Sequence, residues 1–167
     1  MEEEINITFE YFFDAVKSYI EDDNELEVIK KAYEFAERVH TGEKRLTDED
    51  YIMHPLNVAY ILTKIHSDYQ TLSAALLHDV VEDTNVTFEE LEKGFSKNVI
   101  EALKLLTHDK KVPYAEYIIK LKDNPIAKKV KLADLKHNSD KTRLENLTPK
   151  DIIRNKKYEN AISLLSD

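Results

Sequence analysis

Residues 74–84 read AALLHDVVEDT, and four ionisable side chains, His78, Asp79, Glu82 and Asp83, stand inside an otherwise apolar run. Imidazoles and carboxylates together are the groups that hold divalent metals and move protons. On one helix, at about 100° per residue, His78, Glu82, Asp79 and Asp83 fall in that order across an arc of about 140°. One turn earlier the same arc holds Thr71, Leu72 and Ala75. A helix that is apolar all round is a buried one, and buried charge needs a partner or a metal. Carboxylates near a helix C-terminus also oppose the helix dipole. Two readings stand on this stretch alone. Either the helix ends and its charges reach water, or the charges are there to hold a cation.

A second segment shifts the balance. In IAKKVKLADLKHN, Ile126, Ala127, Val130 and Ala133 form an apolar stripe, and Asp134 and His137 lie inside it. An Asp on a core-facing stripe is costly without a partner; His137, three residues on, could be that partner. His54, directly before Pro55, is a third piece, fixed at a helix entrance. A lone His there is ordinarily a capping or packing residue, and His40, His66 and His108 are assigned to packing or surface solvation.

The elements that must position these groups all read as helices. INITFEYFFDAVKSYI forms a first, with Thr8 as cap. Asn24 with Glu27 starts a second, running to about His40. The polar TGEKRLTDEDYIM is a loop. His54-Pro55 opens a third helix, and Asp68 caps a fourth that carries residues 71–83. Thr87 with Glu90 caps a short fifth, and Ser96 starts a sixth. Pro113, Pro125 and Thr148-Pro149 start the remaining three, the eighth ending near Asn138. No segment alternates with period two. The expectation is an all-α bundle of about eight or nine helices with short connections.

Composition agrees. The chain has 167 residues, enough for a core of its own, and only 2 Gly and 4 Pro. A single domain over 1–167 is expected. There is no cysteine, which excludes disulfides, thiolate metal sites and a Cys nucleophile. The N-terminus MEEEINITFE has no signal-peptide core, and no apolar run approaches the ~20 residues of a membrane span. A soluble, cytoplasmic protein is expected, with no membrane role. The net charge of −9 argues against nucleic-acid binding by bulk charge. Residues 120–143 are locally basic. Most of those lysines read as a solvated face, with a patch for a polyanionic small molecule as the minority reading.

The order His54 … His78-Asp79 … Asp134 resembles the HD superfamily of metal-dependent phosphohydrolases. YIMHPLNVAYIL, AALLHDVVEDT and VKLADLKHN resemble, block for block, the hydrolase domain of RelA/SpoT-type alarmone enzymes and the stand-alone metazoan SpoT homologues. HTGEKR, at 40–45, resembles that family's H-x-G-Q-x-R segment. The likeness spans about residues 25–146, with terminal helices closing the bundle. It implies an HD-domain fold and one divalent ion, usually Mn²⁺, held by His54, His78, Asp79 and Asp134. By themselves two imidazoles and two carboxylates suit Mn, Fe, Co or Zn alike. The resemblance also implies that Glu82 and Asp83 serve the reaction centre, where metal-activated water needs a nearby base; the sequence leaves open which takes the proton. The implied substrate is guanosine with a 3′-pyrophosphate and a 5′-di- or triphosphate, from which pyrophosphate is released. Arg45 and the lysines of the eighth helix, Lys131 among them, fit as phosphate partners. Asn138 and Thr107 match family positions near the nucleotide, and Tyr114 is expected in the same pocket.

The sequence departs from that pattern at recognition positions. Leu46 stands where the family has Lys, Leu135 where it has Arg, and Glu43 where it has Gln. Arg143 is a compensating cation or a partner for a surface carboxylate. No room follows Asp167 for a synthetase domain, so hydrolysis alone is expected. Three functions therefore compete: a (p)ppGpp 3′-pyrophosphohydrolase, a hydrolase of the same fold acting on another phosphorylated nucleotide, and a nucleotide-binding regulator that no longer hydrolyses. Oligomeric state is not legible.

Overall fold

The computed structural model describes residues 7–40, 52–143 and 149–166, with the side chains of 139–143 and 151–152 outside that description. Among the described residues the secondary structure is all helical. In order these are α1 (Phe9–Lys17), α2 (Asp23–His40), α3 (Met53–Thr63), α4 (Tyr69–Leu77), α5 (Val80–Asp83), α6 (Phe88–Glu92), α7 (Lys97–Leu106), α8 (Tyr114–Leu121), α9 (Pro125–Arg143) and α10 (Pro149–Ser166).

Local chemistry sets most starts. The side chains of Thr8, Asp68, Thr87 and Ser96 each accept a backbone N–H three residues on, as expected. Two starts differ. Asp22, not Asn24, caps α2, accepting from Glu25 N–H at 3.0 Å. Asn24 lies inside the helix, because Asp22 already satisfies the free donor. Pro55 sits in the first turn of α3 rather than at its first residue, where its missing N–H still costs nothing. Helix α9 runs five residues past the expected stop at Asn138.

Helix α4 is the axis of the bundle. Every residue from Thr71 to Leu77 is buried, and α2, α3, α7 and α9 all pack against it. That is the environment a helix apolar on every side requires. Leu72, Leu76 and Leu77 meet Ile29, Leu56, Leu103 and Leu135 in one continuous core. The α3–α4 corner closes with His66 N–H on Thr63 O and Ser67 N–H on Leu62 O. His66 takes the left-handed conformation there (φ 52°), and its ring stacks on Tyr19 at 4.6 Å. No helix among the described residues is long and apolar enough to cross a membrane.

Candidate metal and active site

The chain expected as one helix over 71–83 is broken. Helix α4 ends at Leu77 and α5 begins at Val80, with His78 and Asp79 at the joint. No Gly or Pro marks the break. His78 N–H reaches back only three residues, to Ala75 O at 3.5 Å, and Asp79 adopts φ −97°, ψ −5°. The joint lies against α3 and α9, which bring His54 and Asp134 to the same point.

His54, His78 and Asp134 are each buried, and one ligand atom from each lies within 4.8 Å of the others. His54 Nε2 is 2.7 Å from Asp134 Oδ1, and His78 Nε2 is 3.5 Å from the same oxygen. Asp79 approaches both rings, Oδ1 at 3.3 Å from His78 Nε2 and Oδ2 at 3.8 Å from His54 Nε2. The four residues that the family resemblance makes ligands thus converge.

Their second contacts orient them. His78 Nδ1–H donates to Ala75 O at 2.6 Å, which turns Nε2 toward the carboxylates. That Nε2 is buried and has no hydrogen-bond partner. A bare lone pair facing two carboxylates is repulsive, so the position calls for a proton or a metal cation. Without metal the proton takes it. Burial lowers the pKa of His78, but Asp79 and Asp134 outweigh burial and raise it to about 9. On His54 burial prevails, and its pKa lies below the usual value. His54 Nδ1 meets His137 Nδ1 at 2.8 Å, so His137 partners His54, where the sequence suggested Asp134. Asp134 instead takes Lys131, Nζ to Oδ2 at 3.1 Å, and Asn138 Nδ2 at 3.3 Å. Burial opposes its charge. Lys131, His54 and His78 nevertheless hold its carboxyl well below the usual range. The donor set fits a divalent ion: two imidazoles, two carboxylates and one orphaned, buried nitrogen aimed at their centre.

This cluster lines a cavity of about 290 Å³. Of the residues singled out from sequence, His54, His78, Asp79, Glu82, Tyr114, Lys131, Asp134 and Asn138 line it. Glu82 is exposed, yet desolvation leads the influences that raise its pKa above the usual carboxyl value. Its Oε1 accepts the backbone N–H of His108. Asp83, the other expected base, is exposed and does not line the cavity. Neither does Thr107, which ends α7 with its hydroxyl donating to Leu103 O at 2.8 Å. Arg45 and Leu46 lie outside the described residues, as does the side chain of Arg143 at the end of α9.

Several lining residues escaped sequence reasoning. His108 stacks on Tyr117 at 4.5 Å and donates from Nε2 to Val112 O. Lys157 and Tyr158 arrive from α10, expected only to close the bundle. Tyr117 follows Tyr114 by three residues on α8, the spacing of one helix face, and that was the available signal. Lys157 and Tyr158 had none, since only tertiary packing brings α10 to the cavity.

Helices converging a His, a His-Asp pair and an Asp on one buried point define a class, and residues 32–142 match the profile of the HD domain. The chain belongs to the HD domain family. It is 38% identical over 141 residues to the bifunctional (p)ppGpp synthase/hydrolase SpoT of Escherichia coli K12, across 78% of this chain and 20% of that protein. It is 46% identical over 88 residues to a guanosine-3′,5′-bis(diphosphate) 3′-pyrophosphohydrolase of Aquifex aeolicus, across 53% of this chain and 13% of that protein. The chain therefore spans a fifth or less of the length of these curated relatives. Among solved structures it resembles one described as a metazoan ortholog of SpoT that hydrolyzes ppGpp and plays a role in starvation responses. The TM-score there is 0.71 at 27% identity, over 83% of this chain and 85% of that one.

Proposed function

We propose that this chain is a cytoplasmic, Mn²⁺-dependent hydrolase that removes the 3′-pyrophosphate of guanosine 3′,5′-bis(diphosphate). The observation that carries the reading is the unpartnered Nε2 of His78, buried among the carboxylates of Asp79 and Asp134 at the wall of a polar cavity. In this reading His54, His78, Asp79 and Asp134 hold the ion. A divalent ion so held acidifies water and polarises a phosphoryl oxygen.

The remaining work falls to this chain's own groups. Glu82 takes the proton of the attacking water. It lines the cavity, and its raised pKa brings a carboxylate base closer to neutral pH. The His108 N–H on Oε1 holds that carboxylate in place. Water oxygen bonds to the phosphorus next to the 3′ oxygen, the bond from that phosphorus to the 3′ oxygen breaks, and the 3′ oxygen leaves to be protonated. Pyrophosphate and a nucleoside 5′-diphosphate result. Lys131 and Asn138 steady Asp134 and face the same cavity, where they meet the substrate's phosphates and sugar. Tyr114 supplies an aromatic wall.

A hydrolase of the same fold acting on another phosphorylated nucleotide is the second reading, favoured by Leu135, which lines the cavity where the resembling family carries Arg. A panel of phosphorylated nucleotides incubated with Mn²⁺-loaded protein, with Asp79→Ala as control, separates the two. Turnover of ppGpp above all others, lost in the variant, supports the first; preferred turnover of a nucleotide lacking a 3′-pyrophosphate replaces it with the second.

A further inference from the structure

We propose that Lys157, on α10, binds the phosphate arm that stays on the nucleotide, and so favours a 5′-phosphorylated ligand over one without that arm. The inference rests on the proposed reading that the ligand is a phosphorylated nucleotide. It goes beyond that reading in assigning a recognition residue outside the region of family resemblance.

Charge at the cavity makes the argument. Asp79, Glu82 and Asp134 line the cavity, and a divalent ion held beside them would offset part of their charge. Lys131 is the nearer lysine, but it pairs with Asp134 at 3.1 Å and its side chain is only 13% exposed, so what it offers a phosphate is confined to the group at the cluster. Lys157 has no such commitment. It lines the cavity, is exposed, and stands 4.0 Å from the Tyr114 ring centroid; no carboxylate among the described residues pairs with it. Lys131 lies 6.0 Å from the same ring. Tyr114 thus neighbours both a lysine tied to Asp134 and one open to solvent. A nucleotide whose 3′ group reaches the cluster can lay its sugar along Tyr114 and extend its 5′ phosphates to Lys157. Leu135 adds a reason. It leaves the cavity wall without the cation that the resembling family carries at that position, and Lys157 supplies one from a different helix.

The test is equilibrium binding to the full chain loaded with Mn²⁺. GDP binding is followed by calorimetry across a salt series, and guanosine binding by NMR titration, for wild type, Lys157→Ala and Lys157→Arg. The expected result is GDP binding weakened about fivefold by Lys157→Ala, as for an exposed charge pair. The salt dependence of binding should be shallower in that variant. Lys157→Arg should restore affinity, and guanosine binding should not change. Unchanged GDP affinity in Lys157→Ala overturns the proposal, as does equal weakening of GDP and guanosine, or wild type that binds no GDP. Because the readout is binding, absence of ppGpp turnover beside an intact Lys157 effect overturns the reaction and leaves this contact standing.

Discussion

Lys131→Met separates electrostatics from packing at the His-Asp cluster, because it should move stability and metal affinity in opposite directions. The ammonium group lies 3.1 Å from Asp134 Oδ2, with side-chain exposures of 13% and 9%. Burial alone would lower the pKa of Lys131. Asp134, Tyr117 and Tyr114 outweigh that and hold it above the usual value, so the pair is charged at neutral pH. Breaking a buried pair by removing one partner costs about 3–5 kcal/mol. Asp134 keeps His54 at 2.7 Å and Asn138 at 3.3 Å, which favours the low end, about 3 kcal/mol. At about 2–4 °C per kcal/mol for a chain of this size, the metal-free melting temperature falls by about 6–12 °C. Metal affinity should rise. Lys131 repels any cation at Oδ1, and for a divalent ion about 5–6 Å from its unit charge at an effective dielectric of ~20 this amounts to about 6 kcal/mol. Screening by water in the open cavity lowers this toward the bulk-water value of about 1.5 kcal/mol, so Mn²⁺ affinity should gain at least about tenfold. Thermal melts in chelator and calorimetric Mn²⁺ titration at one pH measure both. Mn²⁺ affinity that falls, in a variant whose melt shows it folded, would refute the placement of the metal beside Asp134 Oδ1.

Other expectations follow from the same geometry. Glu82→Gln should lower kcat by about 10²–10⁴-fold with bound metal unchanged, as loss of a general base does. Wild-type activity should rise with pH through a Glu82 pKa above the ordinary carboxyl value, since only the ionised form accepts a proton, and this limb should vanish in Glu82→Gln pH–rate profiles. Mn²⁺ at about one hundred times its dissociation constant should stabilise the fold by about 2.7 kcal/mol and raise the melting temperature by about 5–10 °C. Addition of chelator should reverse that shift.

Local rules made the helices legible. Thr8, Asp68, Thr87 and Ser96 announce their helix starts because a cap needs only a side-chain oxygen and the N–H three residues on. Asn24 misled because Asp22, two residues earlier, offers the same chemistry. The break at His78-Asp79 was not legible, since nothing in AALLHDVVEDT breaks a helix; the joint appears only where α3 and α9 close on it. The convergence of His54, His78, Asp79 and Asp134 was legible through polar residues at apolar positions, strengthened by the family resemblance. The pairing of His137 with His54, the exposure of Asp83 and the arrival of Lys157 depend on how α9, α5 and α10 are rotated and docked. Sequence spacing does not carry that information.

The most direct test of the proposed reaction is hydrolysis of ppGpp by the Mn²⁺-loaded protein in ¹⁸O-water, with products resolved by mass spectrometry. The account predicts GDP without label and pyrophosphate carrying one ¹⁸O, because water attacks phosphorus and the 3′ oxygen stays with the nucleotide. No turnover, release of orthophosphate in place of pyrophosphate, or label on GDP would contradict it.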